Sequence, residues 1–301
     1  MNPQNPSWEL YRSFLGILRE GSLSGAARLL GLTQPTVGRH LDALEQGLGM
    51  VLFLRSQHGL SPTREAEALR PYAEAMESTS AAFLRVAASQ KGNVTGTVRI
   101  TASEVVSVEV LPPILADLRQ AYPELMIELV ATDRMEDLLQ RDADIAVRMT
   151  RPSQSALVAR RVGDVELGCY AHRRYLDRRG VPGSLEELAG HDVIGFDQET
   201  VFTRAVLADL PFLSRTQFAL RCDNDLATLA ALRAGFGIGV CQVGLARANA
   251  DLVRLFPEQA VYKLDTWIAM HEDLRQTPVC KATFAALVDG MTQYIESASA
   301  Q

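Results

Sequence analysis

The chain is poor in the features that anchor, staple or export a protein. Arg, Asp or Gly interrupts every apolar run before it reaches the roughly 20 residues a membrane helix needs. The first residues, MNPQNPSWELYRS, hold no basic start followed by an apolar core. No signal peptide is read there, and a cytoplasmic location with no membrane partner is expected. Cysteine is scarce: Cys169, Cys222, Cys241 and Cys280 form no Cys-x-x-Cys pair and stand at no metal-ligand spacing from a histidine. That pattern predicts buried thiols and gives no reason to expect a metal or a cofactor. An excess of positive charge is missing too, since the net charge is −6. This argues against bulk binding to nucleic acid while leaving room for a local basic face. Catalytic signatures are equally thin. There is no serine elbow and no phosphate loop, and His40, His58, His172, His191 and His271 are scattered, with no carboxylate spacing that forms an obvious dyad. An enzyme is not expected.

What is present begins at the N-terminus. At 301 residues, two or three domains are expected. Trp8, Tyr11, Phe14, Leu15 and Leu18 recur at helical spacing, and Gly21 stops that helix. Ser24 can cap a second helix carrying Ala26, Ala27, Leu29 and Leu30, which Gly31 ends. Thr33 caps a third, with Pro35 in its first turn, where a missing N–H costs nothing. Val37, Leu41, Leu44 and Leu48 run down one face of it, and Gln34, Thr36, Arg39, His40 and Asp42 mark the other.

Two helices joined by a tight turn, the second with a polar N-terminal face, make a helix-turn-helix. Its second helix would enter the major groove of double-stranded DNA with its N-terminal residues leading. Gln pairs well with adenine, Arg with guanine, and a Thr methyl meets a thymine methyl. Residues 51–54 read as a strand, 57–59 as a turn and 60–62 as a short return, together a wing. Arg55 beside it would lie near phosphates. All six cations of residues 1–66 are Arg, set against five acids. Thr63 caps a long helix to about residue 90. In it Ala66, Leu69, Ala73, Met76, Ser80, Phe83 and Ala87 are spaced 3, 4, 3, 4, 3, 4, a seam suited to a second copy. Pro71 inside it predicts a kink near 67–71.

The stretch AARLLGLTQPTVGRHLDALE, followed by LG, LF and R, resembles the LysR-type transcriptional regulators from Trp8 to about Leu69. Gly38 departs from the family's usual side chain there, and Arg64 stands where an acid is common. The resemblance implies DNA contact by Ser22, Gln34, Pro35, Thr36, Arg39, His40, Arg55 and Arg64. It implies dimerisation through Leu69, Ala73, Met76, Ser80 and Phe83. The family usually assembles four chains from two kinds of contact; a homodimer or homotetramer is expected here, and RNA polymerase is a further candidate partner.

Beyond a hinge-like GNVTG at 92–96, strands alternate with helices, which predicts an α/β fold with a parallel sheet. Strands are read at 97–101, 125–130, 144–148, 167–171, 193–196, 218–221, 238–241 and 266–270. Helices are read at 105–122, 135–141, 173–179, 226–234 and 281–295. Gly235, Gly237 and Gly239 follow a helix and lead into a strand, so they form a C-cap and turn, not a dinucleotide loop. The segments PELMIELV, DADIAVRM and LAALRAGFGIGV resemble the family's two-lobed, periplasmic-binding-protein-like sensor. The expected division is a winged helix-turn-helix over 1–62, a linker helix over 63–91, and an effector domain over 92–301. Its first lobe takes about 92–162 and 266–301, its second about 163–265.

In open α/β sheets, ligands bind beyond the carboxyl ends of the strands. That rule selects Ser103, Glu104, Thr132, Asp133, Arg148, Phe196, Asp197 and Asn224. Ser103 and Asn224 suit an anion at helix N-termini and Arg148 a carboxylate, while Glu104 and Asp197 fit a zwitterion or hydroxylated acid better. Taken together, a regulator controlled by a small-molecule effector, such as a carboxylate or amino acid, is expected. The alternatives are a cysteine-based redox regulator and a small-molecule-binding protein without DNA function. The redox reading wants a reactive cysteine near 196–212, where similar peroxide sensors place one, and this chain has none there; Cys222 is nearest.

Overall fold

The computed structural model describes residues 6–56, 59–89, 94–133, 143–152, 157–208, 210–259 and 261–299. They form two compact units, one ending at Leu84 and one beginning at Arg85. The expected turn residues Gln57 and His58, the break at Gly92 and Asn93, and the helix at 135–141 lie outside the described residues.

The first unit opens with α1 (Trp8–Glu20), α2 (Leu23–Leu30) and α3 (Gln34–Leu48). Each ends at a left-handed glycine: Gly21, Gly31 and Gly49. α1 buries Leu10, Phe14, Leu15 and Ile17 against Ala26 and Ala27 of α2 and Val37, Leu41 and Leu44 of α3. The cap of α2 is Ser22, not Ser24: the Ser22 hydroxyl accepts from the Gly25 N–H at 3.1 Å. Ser22 directly follows the left-handed Gly21 and takes the extended backbone an N-cap needs, whereas Ser24 is already helical. Thr33 caps α3 as expected, accepting from the Thr36 N–H.

The wing is an antiparallel hairpin of β1 (Phe53–Ser56) and β2 (Gly59–Pro62). The Glu45 carboxylate of α3 accepts from the Leu52 and Phe53 N–H groups at 2.6 and 3.2 Å, tying the wing to that helix. On its other side, the Leu60 N–H donates to the Gly21 carbonyl at 2.7 Å. A Cβ on Gly59, whose φ is +122°, would stand 2.5 Å from that carbonyl oxygen, so only glycine fits there.

Thr63 caps α4 (Arg64–Ser89), a helix that continues on both sides of Pro71. The seam divides. Ala66 and Ala73 are buried and Leu69 half-buried within their own unit's core, so Leu69 and Ala73 are already covered without a second copy. Met76 and Phe83 stay exposed, joined by Tyr72 and Leu84, and Ser80 is half-buried.

The second unit is built on one nine-stranded sheet. Its strands are β3 (Gly96–Ala102), β4 (Leu125–Ala131), β5 (Ile145–Arg148), β6 (Leu157–His172), β7 (Val193–Gly195), β8 (Phe218–Arg221), β9 (Ile238–Gln242), β10 (Leu252–Leu255) and β11 (Val261–His271). The order is β4-β3-β5-β11-β6-β9-β7-β8, with β10 also on β6. β3 with β4 and β5, and β7 with β8 and β9, pair in parallel as expected. The expectation of a wholly parallel sheet fails at the middle. There β6 and β11, read from sequence as short pieces at 167–171 and 266–270, are long strands paired antiparallel along their length. They carry the sheet from a first lobe, around β3 to β5, into a second, around β7 to β9.

Helices α5 (Leu111–Ala121), α6 (Arg173–Arg179), α7 (Val201–Ala208), α8 (Asp225–Arg233), α9 (Val243–Arg247) and α10 (Pro278–Ser299) complete the unit. α7, α9 and β10 were not anticipated. Between β3 and α5 the helical chain widens into a π turn at Val106–Val110, just ahead of Pro112 and Pro113. Glu109 of that turn forms a two-pronged ion pair with Arg233 of α8, both contacts 2.7 Å. It joins the first lobe to the second.

Two outcomes are expected. A Cβ on Gly38 would meet only Leu23 Cδ1 at 3.7 Å, an ordinary contact. Gly38→Ala should therefore raise unfolding stability by about 0.5–1 kcal/mol in urea titration. The hydrogen bonds from Arg233 hold the Glu109 carboxyl below its usual 4.5. The stability this gives is complete above that value and is lost as pH falls through the lowered one. Glu109→Gln should lower stability at pH 7 by about 1 kcal/mol, after allowing for solvent screening, and should flatten the acid limb of the pH–stability profile.

Candidate functional site

Two sites are built from these elements, one in each unit. In the first unit, the cap at Thr33 and the buried row Val37, Leu41 and Leu44 fix which face of α3 points outward. Gln34, Pro35 and Arg39 are exposed there, with Thr36 half-buried beside them. Gln34 and Arg39 make no hydrogen bond or ion pair among the described residues, so their donors and acceptors are uncommitted. His40 is different. Its Nδ1 lies 2.7 Å from the hydroxyl of Ser13, which is fully buried, so His40 leans into the core. The Ser22 hydroxyl is engaged as a cap, and the Arg55 side chain lies outside the described residues.

The other arginines of this unit sort by partner. Arg12 pairs with Glu9, Arg19 with Glu77 and Arg70 with Glu67. Arg28, Arg39 and Arg64 are exposed without a partner among the described residues. Arg28, on the last turn of α2, was not picked out from sequence; an unbalanced arginine beside a tight turn was the available signal. Exposed guanidiniums without a partner among the described residues suit phosphate.

In the second unit a cavity of about 520 Å³ opens at the carboxyl ends of the strands, a size ordinary for a small-molecule site. Of the residues selected from sequence, Ser103, Thr132, Asp133, Arg148 and Phe196 line it. Phe196 packs edge-on against Phe218 with ring centroids 5.3 Å apart, giving an aromatic wall. The Arg148 guanidinium donates to Thr101 Oγ1 at 2.8 Å and to the Val147 carbonyl at 3.2 Å.

Glu104, Asp197 and Asn224 do not line the cavity. The Asn224 amide donates to Glu104 Oε2 at 2.5 Å, a second tie between the lobes, while its Oδ1 caps α8 through the Ala227 N–H. Asp197 is held by Arg215 at 2.7 Å, with Arg221 at 3.8 Å. Each of these three has a protein partner in the chain as it stands.

Sequence reasoning missed Asp225, Gln242 and Cys222, all of which line the cavity. Asp225 begins α8, one residue beyond the selected Asn224. Solvent reaches it, yet protein walls it in; burial first, then the charges of Asp133 and Glu104, hold its carboxyl above its usual value. Burial pushes the Cys169 and Cys241 thiols up to about 12, so both stay protonated at neutral pH. Cys222, half-buried, accepts a 3.4 Å hydrogen bond from the Asn224 N–H. Among the described residues no cluster of His, Cys, Asp and Glu could hold a metal, and no helix is long and apolar enough to cross a membrane.

Comparison with known proteins gives consistent matches. Residues 8–67 match the bacterial regulatory helix-turn-helix proteins of the lysR family, and residues 91–292 match the LysR substrate binding domain. The chain is 31% identical over 186 residues to the HTH-type transcriptional regulator CrgA of Neisseria meningitidis, covering 62% of either chain. It is 33% identical over 159 residues to the Mau operon transcriptional activator of Paracoccus denitrificans, covering 53% of this chain and 56% of that one. The matched stretch thus spans under two thirds of each of these relatives. Full-length CbnR, solved in complex with its target DNA, superposes with a TM-score of 0.67 over 94% of this chain and 99% of that one, at 17% identity; this is a likeness of fold.

The thiol environments predict selective alkylation. Native protein treated with iodoacetamide should be modified at Cys222 first, and at Cys169 and Cys241 only after unfolding, as read by peptide mass spectrometry.

Proposed function

Because the chain belongs to the lysR family of bacterial regulatory helix-turn-helix proteins, we propose that it is a sequence-specific transcriptional regulator controlled by a small effector. The observation that carries this is the outward face of α3, where Gln34 and Arg39 stand exposed and uncommitted beside the wing. Side chains with no partner among the described residues retain their pairing capacity for base edges. Gln34 and Thr36 at the N-terminal end of α3 reach adenine or thymine, and Arg39, one turn on, takes a guanine through two parallel hydrogen bonds. Arg28 and Arg64 hold phosphate and fix register. With His40 turned toward Ser13, base reading falls mainly to the other three.

Operators are read by paired half-sites, so the reading includes a second copy. The exposed apolar row Tyr72, Met76, Phe83 and Leu84 on α4 is the surface we assign to that contact, in place of the covered Leu69 and Ala73. The effector occupies the cavity of the second unit, touching Ser103, Thr132, Arg148 and Phe196. Binding there changes the relation of the two lobes and hence the affinity for DNA. By linkage, DNA changes the affinity for effector by the same factor. RNA polymerase enters as a partner where the regulator activates. A redox trigger through Cys169 or Cys241 is disfavoured because burial holds both as thiols.

The test is binding of purified full-length protein to the DNA upstream of its own coding sequence, at several salt concentrations, against scrambled DNA. A footprint that survives moderate salt is expected; affinity equal to scrambled DNA would count against the reading. Arg39→Ala should weaken specific binding by about 1–3 kcal/mol and leave scrambled DNA unaffected. An equal loss on both DNAs would make Arg39 a phosphate contact.

A further inference from the structure

The polar lining of the cavity is lopsided. Asp133 and Asp225 both face it, and Glu104 lies close enough to add its charge to theirs at Asp225. Arg148 is the one cation among the lining residues described, and its guanidinium is already donating to Thr101 and to the Val147 carbonyl. An anion entering here would meet two carboxylates and a committed guanidinium. A zwitterion would compete with Thr101 and the Val147 carbonyl for the Arg148 guanidinium, whereas Asp133, though its Oδ1 accepts from the Glu104 N–H at 3.2 Å, keeps lone pairs for a cation.

A second, separate observation concerns Gln242. The residue lines the cavity although it is only 6% exposed. Its Oε1 accepts from the Tyr294 hydroxyl at 2.7 Å, and its amide nitrogen has no partner among the described residues. A donor left open on a cavity wall can take an acceptor from whatever fills the space. Most of the remaining wall is hydrocarbon or aromatic, including Phe196, Phe218 and Tyr262. Such a wall takes an apolar body, and a few convergent polar groups then set its orientation.

We propose that the effector is an apolar amine, with one protonated nitrogen set against Asp225 and Asp133 and one hydrogen-bond acceptor offered to the Gln242 amide. This rests on the reading of the cavity as the effector site, and it replaces the carboxylate or amino acid expected from sequence. The amine supplies the charge that two crowded carboxylates lack, and the body displaces water from the aromatic wall. An amine also leaves the contact between Arg148 and Thr101 in place.

The experiment uses full-length protein and Nile red, a neutral apolar dye, as the cavity probe. Competitors come as matched partners: phenethylamine against 3-phenylpropionate, and tyramine against 3-(4-hydroxyphenyl)propionate, with phenylalanine as the zwitterion. Each amine is expected to displace the dye at a concentration about tenfold below that of its acid. Tyramine, carrying the acceptor, should outcompete phenethylamine, and Gln242→Leu should erase that margin. Asp225→Asn and Asp133→Asn should each shrink the preference for amine over acid. Acids or phenylalanine displacing the dye as well as the amines do, or no distinction within any pair, would overturn the proposal and leave the cavity reading intact. Failure of Nile red to bind, with no competitor shifting the thermal midpoint, would overturn both.

Discussion

The second unit depends on one pairing. β6 and β11 lie antiparallel through eleven registered residue pairs, from Val261 opposite Gly168 to His271 opposite Leu157. One end of this ribbon is extended by β5, β3 and β4, the other by β9, β7 and β8. Two half-sheets that would otherwise be separate domains therefore share backbone hydrogen bonds, and their strands present carboxyl ends to a common cavity. The register slips between Thr266 and Trp267, where the ribbon passes from lobe to lobe, and a slip of this kind adds twist. On top of the ribbon, two side-chain ties cross the cleft: Glu109 to Arg233 and Glu104 to Asn224. Both run from the helical segment after β3 to α8. Any motion that separates those segments breaks charged hydrogen bonds, so a ligand shifts the lobes only by the difference in its affinity for the two arrangements.

The first unit solves a different problem with a similar economy of parts. A DNA-reading helix needs a rigid mount, because its uncommitted side chains are useful only if their backbone stays put. α3 is held on one face by the core that α1 and α2 provide. Its Glu45 then fastens the start of the wing through two backbone N–H groups. The wing's return strand is in turn pressed against the end of α1 at Gly21. Helix and wing are thereby positioned by each other, and the exposed arginines inherit that order.

Local signals were legible where they were chemically singular. Thr33 with Pro35, the glycines ending the three helices, and the strand at 218–221 could be read because caps, left-handed turns and alternation act over a few residues. β6 could not be read at full length. Arg160, Arg161, Gly163 and Asp164 break its apolar pattern, and only its distant partner β11 makes the segment a strand. The same division holds at the cavity. The strand-end rule located Ser103, Thr132, Arg148 and Phe196, since topology alone sets where strand ends fall. It also gathered Glu104, Asp197 and Asn224, whose partners lie far off in sequence, and it passed over Asp225 and Gln242. Which of several polar residues at a strand end is left facing the cavity depends on partners the pattern does not reveal.

The ribbon also bears on how the chain acquires its fold during synthesis. β6 leaves the ribosome long before β11, and in the first lobe β11 is the strand that joins β5 to β6. Until it arrives, β5 has β3 on one side and an open edge on the other. The second lobe is translated in full while that edge waits. Contacts so distant in sequence slow folding, and an unpaired apolar edge invites association with other nascent chains. α10, which packs on β3, β6 and α5, follows β11 in the chain, so the sheet and the core of the first lobe close only after the whole second lobe has been made.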